Sequence, residues 1–313
     1  MGRRLRFIPP DGALVEVTCR TIQGRFLLKP SDELREIVIG TLSRAQRRYA
    51  VDIHAFVFMS NHYHLLLSVP DAQTLARFMG YVNSKLAREV GRLTGWRDKI
   101  WSRRYQAVIV SEEELAQVGR LRYVLAHGVK EGLVDHPAEW PGANTVTALL
   151  ESRSLQGLWF DRSREWAARQ RRERYHHLRF ATKETIELEP LPCWAHYSAE
   201  RLRSTVSALI AGILADYPPK PERSRDLEDT LAALLDHHPH ERPEKLKKSP
   251  APWFHCATKA ARKDLIEAYG WFLAAYQKAA EKLRTGNLSV AFPEGSFPPP
   301  QPFVGDALFC APT

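Results

Sequence analysis

The sequence predicts an α+β chain. Residues 1–148 read as a ferredoxin-like β-α-β-β-α-β unit with an extra helix at its C-terminal end, and residues 149–313 as a mostly helical second domain. Three observations lead there. Up to about residue 148, short β-branched runs alternate with helical patterns in the order strand, helix, strand, strand, helix, strand, helix. Beyond that point the pattern turns Arg-rich and then helical, and a length of 313 residues leaves room for two domains.

The first strand is Ala13–Thr21, where apolar and polar residues alternate and β-branched types recur. Ser31 is the expected N-cap of a helix reaching Tyr49, with Glu33 and Glu36 near its positive end. Leu34, Ile37, Val38, Thr41, Leu42 and Ala45 form its core stripe. Val51–Met59 and Asn61–Val69 are two strands joined by a Ser-Asn turn. A second amphipathic helix, Gln73–Leu93, presents Leu75, Phe78, Met79, Val82, Leu86 and Val90. Tyr105–Val110 is the fourth strand, and Ser-Glu-Glu-Glu-Leu caps a third helix over about Glu112–Val129. In the second domain, Leu149–His177 interleaves arginines with Trp159, Phe160, Trp166 and Tyr175. Helices are expected over Ala199–Ala215, Asp226–Asp236 and Lys259–Leu283, and the proline-rich stretch from Pro293 to Phe303 as an extended tail.

Composition narrows the functional classes. Four cysteines, Cys19, Cys193, Cys256 and Cys310, lie far apart without a CxxC spacing, which excludes a zinc ribbon and fits a reducing compartment. No apolar run approaches the roughly 18 residues that span a bilayer, and the basic N-terminus lacks the apolar core of a secretory signal. A cytoplasmic location without membrane contact is expected. Lys and Arg number 45 against 36 acids, for a net charge of +9, with +6 (21 against 15) before residue 150 and +3 (24 against 21) after it. Such a balance suits a polyanionic partner, although many basic proteins bind none.

The sharpest local pattern is Met-Ser-Asn-His-Tyr-His-Leu-Leu-Leu, residues 59–67. On a strand, His62 and His64 share one face while Tyr63, Leu65, Leu67 and Val69 share the other, which is apolar and turned toward the helices. Two imidazoles on a strand bind a divalent cation when another element brings a third ligand, and are otherwise polar surface. Tyr123 and His127, four residues apart on the third helix, share a helical face. Laid over His62 and His64, that face makes one site of three imidazoles and a phenol. Otherwise Tyr123 is a core aromatic and His127 a cation at a helix C-terminus. His54 is either a supporting donor or polar filling, and His237-His238-Pro239-His240 reads as a loop.

Residues 59–67, Trp101–Leu115 and Arg122–Gly142, in that order and spacing, resemble the IS200-like transposases, and more closely the REP-associated tyrosine transposases. The likeness covers roughly residues 8–145. It implies an HUH-type enzyme, with His62-Tyr63-His64 as the histidine trio and Tyr123 at the position of the family nucleophile. It also implies Mg²⁺ or Mn²⁺ on His62, His64 and His127, and single-stranded or hairpin DNA as substrate. Nicking and strand transfer would proceed through a 5′-phosphotyrosine, in a monomer or homodimer associated with the nucleoid. Close relatives read Asn-Pro where this chain has His127-Gly128. In the wider family that first position holds a polar side chain that helps bind the metal, and His127 is a competent ligand. The same departure keeps open an inactive, domesticated protein that binds hairpin DNA. Arg103 and Arg104 beside Trp101 and Tyr105, and Arg162, Arg169 and Arg172 near Trp166 and Tyr175, are candidate phosphate contacts with aromatic neighbours for stacking; the other reading is a solvated basic face. Removal of the chain beyond about residue 150 is expected to weaken DNA recognition and leave the site assembled.

Overall fold

Strand register decides where the candidate residues stand. The computed structural model describes residues 5–218, 231–243 and 252–301. Strands β1 (Ala13–Arg20), β2 (Asp52–Phe58), β3 (His62–Val69) and β4 (Gln106–Val110) pair antiparallel in the spatial order β2-β3-β1-β4. That order, with helices α1 (Asp32–Gln46) and α2 (Ala72–Thr94) as the crossovers, is the expected β-α-β-β-α-β arrangement. The Ser31 hydroxyl accepts from the Leu34 amide at 3.1 Å and starts α1. Asp71 does the same for α2, accepting from the Thr74 amide at 2.6 Å, and Gly95 at φ 68° ends it.

Each face of the sheet has its own core. Val15, Val17, Tyr63, Leu65 and Leu67 pack with Ile37, Val38, Phe78 and Val82 of the crossover helices. On the opposite face, Leu14, Val57, Leu66 and Val110 pack under α3 (Glu114–Leu125) and α7 (Ala199–Asp216), through Leu121, Val124, Val206 and Ile210. The third helix is shorter than expected. It breaks at Ala126 before a single turn, α4 (His127–Lys130), and it begins after Glu113. Ser111 does not cap it; its hydroxyl donates to the Glu113 carboxylate at 2.7 Å. A register slip between Ile53 and Ala55 turns His54 out of the β2 alternation. His54 is buried there between the Glu189 carbonyl (2.9 Å) and the Ser68 hydroxyl (2.8 Å), so it is polar filling.

The second half contains two long helices at the expected places, α7 and α8 (Lys259–Arg284). Residues 231–236 are helical, while the start of the helix expected from Asp226 lies outside the described residues, as do Phe303 and Cys310. Ahead of these helices in the chain come α5 (Val146–Glu151), β5 (Leu155–Phe160), α6 (Arg162–Gln170) and β6 (Ala181–Ile186). Strands β5 and β6 form an antiparallel pair, unforeseen from the sequence, that covers the outer side of α1. Arg44 of α1 and Arg47 just after it both reach the buried Glu184 carboxylate of β6 at 2.6 Å. A short strand, β7 (Phe254–His255), adds to the β4 edge in parallel and brings the second half into the central sheet.

Two glycines allow α1 and β5 to touch backbone to backbone. A Cβ on Gly40 would stand 2.2 Å from the Leu158 carbonyl carbon, and one on Gly157 would stand 2.3 Å from the Glu36 carbonyl oxygen. Gly40→Ala is therefore expected to destabilise the protein by about 3 kcal/mol through overpacking. Gly80→Ala in α2, whose Cβ meets nothing within 4 Å, is expected to stabilise it by up to about 1 kcal/mol. Urea unfolding of the two variants checks the contrast; equal midpoints would contradict the close approach.

Candidate active site

The alternation of β3 puts His62 and His64 on the sheet face that α3 covers, and the break after α3 delivers His127 to the same place. The Nε2 atoms of His62 and His127 stand 2.9 Å apart. Two lone pairs cannot face each other at that distance, so one proton or one cation belongs between them. Ring centroids are 5.3 Å apart for His62–His64, 5.0 Å for His62–His127 and 4.5 Å for His64–His127. One ligand atom from each of the three lies within 4.8 Å of the others, the one such group among the described residues. His62 Nδ1 donates to Asn61 Oδ1 at 2.7 Å, leaving its Nε2 as the lone-pair atom. His127 is buried with no hydrogen-bond partner for Nδ1.

Electrostatics favour neutral imidazoles at His62 and His127. Burial, then the charges of His64 and His127, holds His62 well below the usual histidine range. Burial, then His64 and Lys130, brings His127 down to about 3. Three nitrogen donors with free lone pairs, one partner atom orphaned, fit a divalent ion of the borderline or hard first-row type.

Glu16 was not singled out from the sequence, yet it organises the site. It lies in the middle of β1, buried, one strand from His64. Its Oε1 accepts from His64 Nδ1 at 2.8 Å, so the His64 Nε2 lone pair is turned to the cluster. Its Oε2 accepts from His255 Nε2 at 2.7 Å and lies 3.4 Å from Arg120 Nη1. Burial pushes this carboxyl up, but the hydrogen bonds from His255 and His64 outweigh it and hold it far below the usual carboxylate range. The available signal was its place in the alternation: Glu16, Thr18 and Arg20 share the face of His62 and His64. His255 belongs to β7, so the region beyond residue 150 contributes to this arrangement.

Tyr123 stands one turn before His127. Its ring centroid is 5.4 Å from that of His64 and 5.5 Å from that of His127, both edge to face. Arg120 lies 4.7 Å and Lys130 4.4 Å from the ring centre. Burial, then Glu16, raises the phenol above its ordinary value, while Arg120 pulls the other way. Arg122 points elsewhere, to the Gly212 carbonyl and the Asp216 carboxylate of α7.

The candidate DNA contacts separate. Arg103 and Arg104 are exposed and follow Ser102, whose amide donates to the Arg20 carbonyl at 2.9 Å; Arg20 pairs with His62. These two arginines thus lie at the His62 end of the sheet. Their aromatic neighbours do not serve for stacking. The Trp101 indole donates to the Asn83 carbonyl at 2.9 Å and packs on Tyr63, and Tyr105 is buried. Arg169 and Arg172 are exposed on α6 and the turn after it, near Trp166, which is 63% exposed.

Arg162 is placed differently from its expectation. Its guanidinium is taken up by the buried Glu89 and Glu165, at 2.5 and 2.7 Å, and ties α6 to α2. Arg162→Ala is expected to lower stability by about 3 kcal/mol by removing the short ion pairs of two buried carboxylates, which keep only the longer contacts of Arg92 (3.3 Å) and Arg169 (3.8 Å), with DNA affinity changed less than threefold. A unit drop in the salt slope of binding would instead mark a phosphate contact. The histidines at 237–240 are a loop, as expected: His237 stacks on Phe26 at 5.0 Å and pairs with Glu241, and His240 binds the Thr94 carbonyl at 2.7 Å.

Comparison with known proteins gives the following. Residues 19–125 match the family described as Transposase IS200 like. No curated protein matches the chain. Among solved structures, the REP-associated tyrosine transposase bound to a REP hairpin is 16% identical, with a TM-score of 0.41, covering 48% of this chain and 86% of that one. A protein of Deinococcus radiodurans R1 assigned as a transposase is 19% identical, with a TM-score of 0.28, covering 39% of this chain and 93% of that one. Among the described residues, no helix is long and apolar enough to cross a membrane.

Proposed function

We propose that this chain, whose residues 19–125 match the family described as Transposase IS200 like, is a metal-dependent single-strand DNA nickase and strand transferase acting on hairpin DNA through Tyr123. The observation behind this reading is the convergence of the Tyr123 phenol and the three imidazoles on one sheet face. His62, His64 and His127 would hold a Mg²⁺ or Mn²⁺ ion. Such an ion supplies Lewis acidity to the non-bridging oxygens of a phosphodiester and orients its phosphorus.

The protein's own groups do the rest. Tyr123 Oη loses its proton and bonds to phosphorus, the bond from phosphorus to the 3′ oxygen breaks, and that oxygen takes up a proton as a free 3′-OH. The phosphodiester energy is kept in the phosphotyrosine, so attack by another 3′-OH reverses the chemistry and joins strands without a nucleotide cofactor. The raised phenol would be protonated at rest, and the Arg120 and Lys130 cations against its ring favour the phenolate as it forms. Glu16 turns His64 toward the cluster, and Arg103 and Arg104, exposed at that end of the sheet, neutralise backbone phosphates.

The test is incubation of the full chain with an end-labelled single-stranded hairpin and Mn²⁺. The expected product is a protein–DNA band that survives denaturation. A gel shift without that band would replace this reading with the inactive hairpin-binding protein, and neither product would remove both.

A further inference from the structure

The function proposed above needs His64 held with its Nε2 toward the cluster, and the group that holds it is in turn held from outside the family-matched region. We propose that His255, supplied by the C-terminal half, is a positioning residue of the site: through Glu16 it fixes His64 for metal binding.

The geometry is a three-link chain. His255 Nε2 donates to Glu16 Oε2 at 2.7 Å, and His64 Nδ1 donates to Glu16 Oε1 at 2.8 Å. Arg120 also approaches this carboxylate, at 3.4 Å, beyond a good hydrogen bond. Without His255, one carboxylate oxygen keeps only that long contact, and the carboxylate is free to turn about its own bond. His64 then loses the acceptor that sets its tautomer and ring plane.

His255 itself is pinned on both sides by backbone. Its residue pairs with Val110 at the β4 edge, and its carbonyl accepts from the Ser111 amide at 2.9 Å. The Glu113 carboxylate accepts from the amides of Ala257 (2.7 Å) and Thr258 (3.3 Å), where α8 begins. A residue pair and a following helix N-terminus are thus spent on presenting one imidazole to one buried carboxylate. Residues 19–125 alone contain His64, Glu16's neighbours and Tyr123 but not this clamp.

The experiment is Mn²⁺ binding to the full-length protein, followed by titration calorimetry, for wild type, His255→Leu and His255→Gln. Leucine keeps the bulk without a donor; glutamine keeps a donor at the same reach. His255→Leu is expected to weaken Mn²⁺ binding about tenfold, the low end of the usual 10–100-fold cost of losing an outer partner, with glutamine within threefold of wild type. In adduct formation, the leucine variant should need more Mn²⁺ yet approach the wild-type rate at saturation. Equal affinities for leucine and glutamine, whether both normal or both weakened, would overturn the positioning role while leaving the metal site in place. No Mn²⁺ binding by wild type would overturn the metal reading itself.

Discussion

Tyr123→Phe is expected to abolish the covalent protein–DNA adduct, with a loss of at least about 10³-fold in its rate of formation, because it removes the proposed nucleophile. Folding changes by less than about 1 kcal/mol. The reason for the separation lies in what the ring touches. Its edge-to-face contacts with His64 and His127 and its two cationic neighbours are contacts of the ring, and phenylalanine preserves the ring. Only the oxygen that would bond to phosphorus is lost. Unfolding midpoints, Mn²⁺ affinity and hairpin affinity should therefore stay close to wild type, and denaturing gels should show no adduct. An adduct formed by Tyr123→Phe at the normal rate would move the nucleophile to another residue.

His64→Ala gives the second large effect, with a different signature. It removes one of three nitrogen donors, so under the proposed function Mn²⁺ affinity and metal-dependent cleavage are expected to fall together, cleavage by at least about 10³-fold. It also leaves the buried Glu16 carboxylate without the donor now at 2.8 Å, a cost of about 2 kcal/mol in stability. Under the proposed function DNA affinity would rest on phosphate neutralisation elsewhere, so it is expected to change less than threefold at fixed salt, with an unchanged salt slope. Parallel loss of cleavage and DNA affinity would show that the imidazole cluster and the DNA surface are not separate.

What could be read in advance followed periodicity. Alternation along Asn61–Val69 assigned the two faces of β3, and helical spacing linked Tyr123 to His127; the structure brings both pairs to one place. Local capping chemistry set the start of α1 at Ser31, whereas the Asp71 cap of α2 was not singled out. What escaped was whatever depends on contacts distant in sequence. Glu16 looks like one polar position in a half-buried strand until the β1–β3 register sets it beside His64. His255 sits in a strand of two residues, too short to show a period, and its partner is 239 positions away at Glu16. The β5–β6 pair was hidden by composition. Gly157 interrupts the apolar run, and β6 is mostly polar because only Glu184 and Ile186 are buried. Arg162 shows the same limit from the other side. Its arginine-rich neighbourhood suggests phosphate, but the fold turns it inward onto Glu89.

Peptide mapping of the adduct tests the central claim most directly. After incubation of wild type with hairpin DNA and Mn²⁺, then nuclease and protease digestion, mass spectrometry should find a nucleotide phosphate on the peptide containing Tyr123. Chelation of the metal before mixing should leave that peptide bare. A nucleotide on any other residue, or one on Tyr123 that forms equally well after chelation, would contradict the pairing of this phenol with the His62, His64 and His127 cluster.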